Sequence, residues 1–223
     1  MFSVIFEVNP IPERKDDYLE LAKYLKPKLE QIDGFVDNER FESLRRKGWV
    51  LSHSTWRDEK SVVRWRSLGE HHEVQKKGRT EIMKDYHLRV GDVISDTAPP
   101  AAAPVKEMRF DETEVGKTKY VSLTEIVPQS EATFAAQTEL IPAHLGLTQA
   151  AGMLEHDVFA SIYNPGKLAL LIGWGARDTA KSWRPKLFEG VKDLRHRVVR
   201  VVRDYGMFDR RESPQYYPDA QRH

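Results

Sequence analysis

Thr55-Trp56-Arg57-Asp58-Glu59-Lys60-Ser61-Val62-Val63-Arg64-Trp65-Arg66 is answered, 118 residues further on, by Gly173-Trp174-Gly175-Ala176-Arg177-Asp178-Thr179-Ala180-Lys181-Ser182-Trp183-Arg184. Four of the chain's five tryptophans fall into this one register, which chance explains poorly. The same shift, without a gap, lays Glu7 on Glu125, Pro10 on Pro128, Gly34 on Gly152, Phe41 on Phe159, Ser43 on Ser161 and Gly48 on Gly166. Toward the end of each half the shift becomes 108: Arg89-Val90 meets Arg197-Val198, Val93 meets Val201 and Asp96 meets Asp204. The second copy has therefore lost ten residues between Arg184 and Arg197. Self-similarity of this kind points to two diverged copies of one structural unit. Between them, Thr97-Ala-Pro-Pro-Ala-Ala-Ala-Pro104 cannot hold a helix, because its prolines fix φ and remove donors. The reading is a first unit at 1–97, a Pro/Ala-rich linker at 98–117, a degenerate second unit at 118–206 and an irregular extension at 207–223.

Within the first copy, Phe2, Val4, Phe6 and Val8 alternate as the apolar face of a strand that Pro10 and Pro12 end. Tyr18, Leu21, Ala22, Leu25, Leu29 and Ile32 recur at steps of three and four, an amphipathic helix whose last turns Pro27 should bend or break. Phe35–Ser43 and Trp49–Trp56 read as two strands joined by Arg45-Arg46-Lys47-Gly48. Asp58 is a plausible N-cap for a helix carrying Val62, Val63 and Trp65. Gly69 should break that helix before a second helical stretch through Val74, Ile82 and Met83, and Leu88–Ile94 forms the last strand. Strand, helix, strand, strand, helix, strand is the split βαβ order. The expected fold is α+β: two tandem ferredoxin-like βαββαβ domains packed sheet to sheet as an intramolecular pseudo-dimer, each sheet shielding its sibling's.

Composition narrows the function. Lys plus Arg number 35 and Asp plus Glu 34, so no broad charge argues for nucleic acid or an anionic membrane. There is no cysteine, which excludes disulfides, thiolate metal sites and cysteine nucleophiles. The opening Met1-Phe-Ser-Val-Ile-Phe-Glu has no basic region, and no stretch approaches the apolar length of a spanning helix. A cytoplasmic, soluble protein is the expectation. No P-loop, dinucleotide fingerprint, H-E-x-x-H or paired-carboxylate signature stands out.

Val4-Ile-Phe-Glu-Val-Asn9-Pro10, the turn Asp33-Gly34-Phe35, the stretch Thr55–Trp65 and the block Glu70-His71-His72-Glu-Val-Gln75 through Gly78-Arg79 to Asp85-Tyr86 together resemble the antibiotic biosynthesis monooxygenase domain of the dimeric α+β barrel superfamily. The resemblance covers about residues 1–97 directly and 118–206 through the repeat. It implies an oxidoreductase that works without nucleotide or metal cofactor on a small-molecule substrate and O₂. The implied substrate is an electron-rich aromatic or polyketide-like molecule, and a homodimer of pseudo-dimers stays open. The same family includes IsdG-type haem-degrading enzymes and silent members, so haem as cofactor, or a non-catalytic binding module, are the alternatives. Fold alone does not choose among them.

The resemblance also nominates residues. Asn9, where the second copy has Val127, matches an asparagine that polarises an oxygenated substrate; the plain alternative is an Asx turn with Pro10. Trp65 matches a flat pocket wall, although Trp183 occupies the same place and packing alone could explain both. His72 or its neighbour His71 could be a general base or haem ligand, or both could be surface residues; neighbouring helical positions lie about 100° apart, so one of them faces inward. Asn9, Trp65 and His72 are the catalytic candidates, with His71, Tyr86 and Arg66 as substrate-binding candidates. Arg66, shared with Arg184, equally suits a structural ion pair, and Arg79, Tyr86 and Arg89 are weaker candidates. The basic stretch Arg195–Arg203, alternating with valine, reads as an exposed strand face, with a nucleic-acid patch as the alternative. A cavity of about 300 Å³ or more lined by Asn9 and Trp65 would favour small-molecule chemistry, and a filled core the non-catalytic alternative.

Overall fold

Alternation of apolar residues makes strands, and here they close a barrel. The computed structural model describes residues 1–101, 103–130, 140–147, 150–217 and 220. The strands are β1 (Phe2–Pro10), β2 (Phe35–Ser43), β3 (Val50–Trp56), β4 (Met83–Asp96), β5 (Tyr120–Pro128), β6 (Met153–Ser161), β7 (Leu168–Trp174) and β8 (Val191–Gly206). The described helices are α1 (Lys15–Glu30), α2 (Glu59–Arg66), α3 (Gly69–Lys77), α4 (Ile141–His144) and α5 (Arg177–Ser182). The eight strands form one closed antiparallel barrel in the order β1-β3-β2-β6-β7-β5-β8-β4. Closure leaves no open sheet edge. The mixed α+β class thus holds. Within the barrel, β4-β1-β3-β2 come from the first half and β8-β5-β7-β6 from the second, joined through β2 with β6 and β4 with β8.

Strand parity sorts the side chains. Ile5, Phe41, Leu51, Val93, Val121, Leu123, Phe159, Ala169, Leu171, Val199 and Val201 point inward and pack as one core from both halves. Phe2, Val4, Phe6, Val8, Ser52, Ser54 and Trp56 take the other parity and face the helices of the first half. Two buried ion pairs occupy matching places: Arg89 Nη1 with Glu7 Oε2 at 3.3 Å, and Arg197 with Glu125. Pairing matters there, because a lone charge in such a place costs several kcal/mol, on the order of 3–5.

Two local expectations change. α1 runs through Pro27 to Glu30. Pro27 and Lys23, whose carbonyl loses its helical donor, both lie exposed, so water can take that carbonyl. The stretch after Gly69 is not one helix to Met83: α3 ends at Lys77, a π turn spans Gly78–Ile82, and Met83 already begins β4. Asp58 caps α2 as expected, its carboxylate accepting from the Ser61 amide at 2.8 Å. Among the described residues, no helix is long and apolar enough to cross a membrane.

Candidate functional site

Between the first-half sheet and α1–α3 lies a cavity of about 180 Å³. Its floor is built from two rows of register-paired residues that cross five strands. One row runs Arg40 (β2), Ser52 (β3), Phe6 (β1), Leu88 (β4), Tyr205 (β8); the other runs Asn38, Ser54, Val4, Val90, Arg203. Polar side chains occupy the β2–β3 end and hydrocarbon the β1–β4 middle. Leu21, Ala22, Leu25 and Leu29 of α1, with Val62 and Trp65 of α2, form the roof. The length of β8 carries Arg203 and Tyr205 across the barrel seam, so the second half completes the wall of the first half's cavity.

The polar end is rich in donors. Asn38 is held by two bonds from Nδ2, to the His53 carbonyl at 2.9 Å and to Ser52 Oγ at 3.3 Å. Its Oδ1 accepts from Arg40 Nη1 at 3.1 Å. Arg40 Nε is buried without a hydrogen-bond partner. Tyr18, buried on α1, lies beside Arg40; burial pushes its phenol up, and the guanidinium partly offsets this.

Trp65 and His71 form the other pole. Their rings stack at 4.0 Å between centroids with 19° between planes. His71 Nδ1 lies 3.1 Å from the Trp65 carbonyl, so Nδ1–H donates there and Nε2 keeps its lone pair. Burial lowers the His71 pKa to about 4, which keeps the ring neutral at physiological pH. The neutral imidazole leaves the Nε2 lone pair free to accept a proton, while the same burial makes it a weaker base than an exposed histidine.

Of the six candidates, the cavity gathers Trp65, His71 and Arg66. Asn9 is not among its lining residues. It shares the parity of Ile5 and Glu7, and its Oδ1 lies against the β2–β3 turn at Gly48, away from the helix layer. His72 also lies outside the lining. Its ring stacks on Tyr217 of the C-terminal extension at 5.2 Å, with Nδ1 3.1 Å from the Tyr217 hydroxyl. Adjacent helical positions point apart, and here His71 takes the inward one. Tyr86 is buried beside the cavity rather than in it, its hydroxyl accepting from Arg79 and Arg210 at 2.5 Å each. Arg66 has no carboxylate partner, which leaves the structural ion pair unsupported among the described residues.

Sequence reasoning missed Asn38, Arg40, Ser52, Ser54, Gln75, Arg203 and Tyr205. The repeat held a signal for some of them: the 118-residue shift sets Arg40, Ser52 and Ser54 against Val158, Leu170 and Ile172. Polar residues at alternate strand positions normally mark a solvated face, and here they line a cavity. The cavity is also smaller than the roughly 300 Å³ expected of a chemistry-bearing pocket and lacks Asn9, yet it is not a filled core. Among the described residues, no group of three or more His, Asp or Glu converges as a metal site.

The profile of the antibiotic biosynthesis monooxygenase family matches residues 1–77. Over 226 aligned residues, 99% of this chain and 100% of the other, the chain is 40% identical to the jasmonate monooxygenase ABM of Pyricularia oryzae. This chain belongs to the antibiotic biosynthesis monooxygenase family. One solved structure agrees at the level of fold. An aldoxime dehydratase superposes with a TM-score of 0.51 at 9% identity, over 90% of this chain and 80% of that one. An anthrone oxidase-like protein gives a TM-score of 0.39 at 14% identity over 92% of both chains.

Proposed function

We propose that this family member is a monooxygenase for a compact, largely hydrocarbon oxygenated acid of the jasmonate class. The observation that carries this reading is the two-ended cavity between sheet and helices, in a chain 40% identical along its whole length to a jasmonate monooxygenase. Jasmonate is a cyclopentanone with an alkenyl chain and a carboxylate, a shape suited to an apolar middle and a polar end. The aromatic or polyketide-like substrate is the other class to be tested. Supporting the chemistry, His71 can accept a proton from an activated C–H or O–H, and the apolar roof of α1 and α2 offers the reacting carbon a hydrocarbon surrounding.

Electron balance shapes the test. Converting CH₂ to C=O with release of water consumes one O₂ and needs no other reductant. Inserting one oxygen into C–H to give C–OH and water needs two further electrons. Oxygen uptake is therefore followed with jasmonic acid, and with hydroxyanthrones, with and without an added reductant. Uptake with jasmonic acid and a product heavier by oxygen is the expected result; uptake confined to hydroxyanthrones restores the aromatic class, and none with either sinks the reading. A flat haem titration is expected from the cavity's size.

In the same reading the chain is a duplicated ferredoxin-like unit, 1–97 and 118–206, folded into an intramolecular pseudo-dimer. The repeat register, the matching strand orders and the paired Glu7–Arg89 and Glu125–Arg197 bridges support it. One copy keeps the working cavity and the other serves as scaffold.

A further inference from the structure

Four cationic side chains line the cavity, Lys26, Arg40, Arg66 and Arg203, and no Asp or Glu does. The chain as a whole carries 35 basic and 34 acidic residues, so composition does not explain a wall of one sign. Several arginines elsewhere are matched with carboxylates: Arg46 with Glu7 and Asp157, Arg89 with Glu7, Glu155 and Asp204, Arg195 with Asp37 and Asp96, Arg200 with Glu107; others, such as Arg45 and Arg210, bond to carbonyl or hydroxyl oxygens. Among the described residues, Arg40, Arg66 and Arg203 have no carboxylate within ion-pair distance. Partly enclosed cations without counter-ions raise the affinity of the cavity for an anion.

The cations are not equivalent. Lys26 is exposed at the rim. Arg203 sits beside Tyr205 at the β8 edge. Arg40 stands at the opposite edge, among Asn38, Ser52 and Ser54, and carries the orphaned buried Nε. An unpaired buried donor costs about 1–3 kcal/mol and needs an acceptor. Asn38 is held in place, its Oδ1 accepting from Arg40 and its Nδ2 bonded to His53 and Ser52. Ser52 Oγ accepts from Asn38, and Ser54 Oγ accepts from the Trp56 indole at 2.9 Å, so both hydroxyl protons remain to donate. The strip thus presents donors and a positive charge, which suits a carboxylate and repels a cation.

We propose that Arg40, with Ser52 and Ser54, is a carboxylate-recognition subsite that fixes the orientation of a monoanionic substrate, its hydrocarbon lying across β1 and β4 beneath Trp65 and His71. Three inter-strand steps of about 4.8 Å separate β2 from β4, so head and reacting part lie roughly 14 Å apart at most. This rests on the proposed function for the identity of the substrate, but the subsite can stand or fall by itself.

The test is calorimetric binding of jasmonic acid against methyl jasmonate, and of decanoate against methyl decanoate, at pH 7.5 and two salt concentrations. The wild-type protein is expected to bind each acid at least tenfold more tightly than its ester, with salt weakening the acids alone. In Arg40→Met the preference should fall below threefold, and in Arg40→Lys it should be intermediate, because charge returns without the fork. Equal binding of acid and ester by the wild-type protein overturns the proposal, and that arm needs no variant to fold. So does a preference that survives in Arg40→Met. If the acids bind preferentially but no oxygen is consumed, the monooxygenase reading fails and the subsite stands. If acid and ester are oxygenated equally well, the reverse holds.

Discussion

The two halves of the barrel hold the same floor with opposite polarity. In the first, the β2–β3 end is Arg40, Asn38, Ser52 and Ser54, and the β1–β4 middle is Phe6, Val4, Leu88 and Val90. In the second, the matching end on β6–β7 is Val158, His156, Leu170 and Ile172, and the matching middle is Thr124, Ser122, His196 and Val198. Leu170, Ile172, Trp174 and Val198 are buried against Ile141, Leu145, Leu147 and Trp183 in one continuous core. Polar groups there pair with one another, Thr124 Oγ1 with His196 Nδ1 at 2.9 Å and the Trp174 indole with Ser122 Oγ at 2.8 Å, while His196 Nε2 stays buried without a hydrogen-bond partner. One backbone plan thus supports either a donor-lined hollow or a packed core, and a handful of inward side chains decides which.

The strongest way to break this comparison is to make the filled side polar. Leu170→Ser is expected to cost about 4 kcal/mol or more, from a lost core side chain plus a buried hydroxyl, read by urea denaturation. A cost under about 1 kcal/mol would mean that the second layer is not a packed core. The tryptophans sharpen it next. Trp183→Ala should cost about 3–5 kcal/mol. Trp65→Ala should cost less, about 1–2 kcal/mol, because one side of its ring already faces a hollow, while substrate binding is lost. Equal costs would argue that Trp65 is simply core.

Two histidines give a smaller, pH-dependent contrast. His71 stacks on Trp65, and His196 meets Trp183 edge-on at 5.4 Å. Burial holds each near a pKa of about 4. Their folded values lie below the unfolded value of roughly 6.5, so between about pH 6.5 and 4 the unfolded chain binds protons that the folded chain does not. Stability is present above that window and falls as pH drops through it, by at most about 1.4 kcal/mol per pH unit for each group. His71→Phe and His196→Phe should each flatten acid unfolding, but only His71→Phe should abolish oxygen uptake. The smallest effect belongs to the tail: Tyr217→Ala removes the ring over His72 and should lower Tm by about 2–4 °C for a loss near 1 kcal/mol.

Legibility in the sequence followed the range of the forces involved. Strand alternation and helix periodicity are local, so β1, α1 and the Asp58 cap were readable. The tryptophan register was readable because both copies need the indole in the same layer. Asn9 lies outside the cavity lining, and its parity with Ile5 and Glu7, set by strand alternation, places it away from the helix layer. His71 and His72 could not be separated locally, because the partner of His72 is Tyr217 on the far tail. Arg203 was read as part of a strand face, and only barrel closure carries β8 over the first half's cavity. Arg40, Ser52 and Ser54 went unread, because polar residues at alternate strand positions match a solvated face and their setting depends on helices that cover them.

The most direct measurement exchanges one row of the floor. Arg40→Val/Ser52→Leu gives the first half the residues of the second, Val158 and Leu170. Calorimetric titration with jasmonic acid should give one site per wild-type chain and no binding in a double variant that melts cooperatively at or near the wild-type temperature. Retained binding in that variant, two sites per wild-type chain, or none at all would contradict the account.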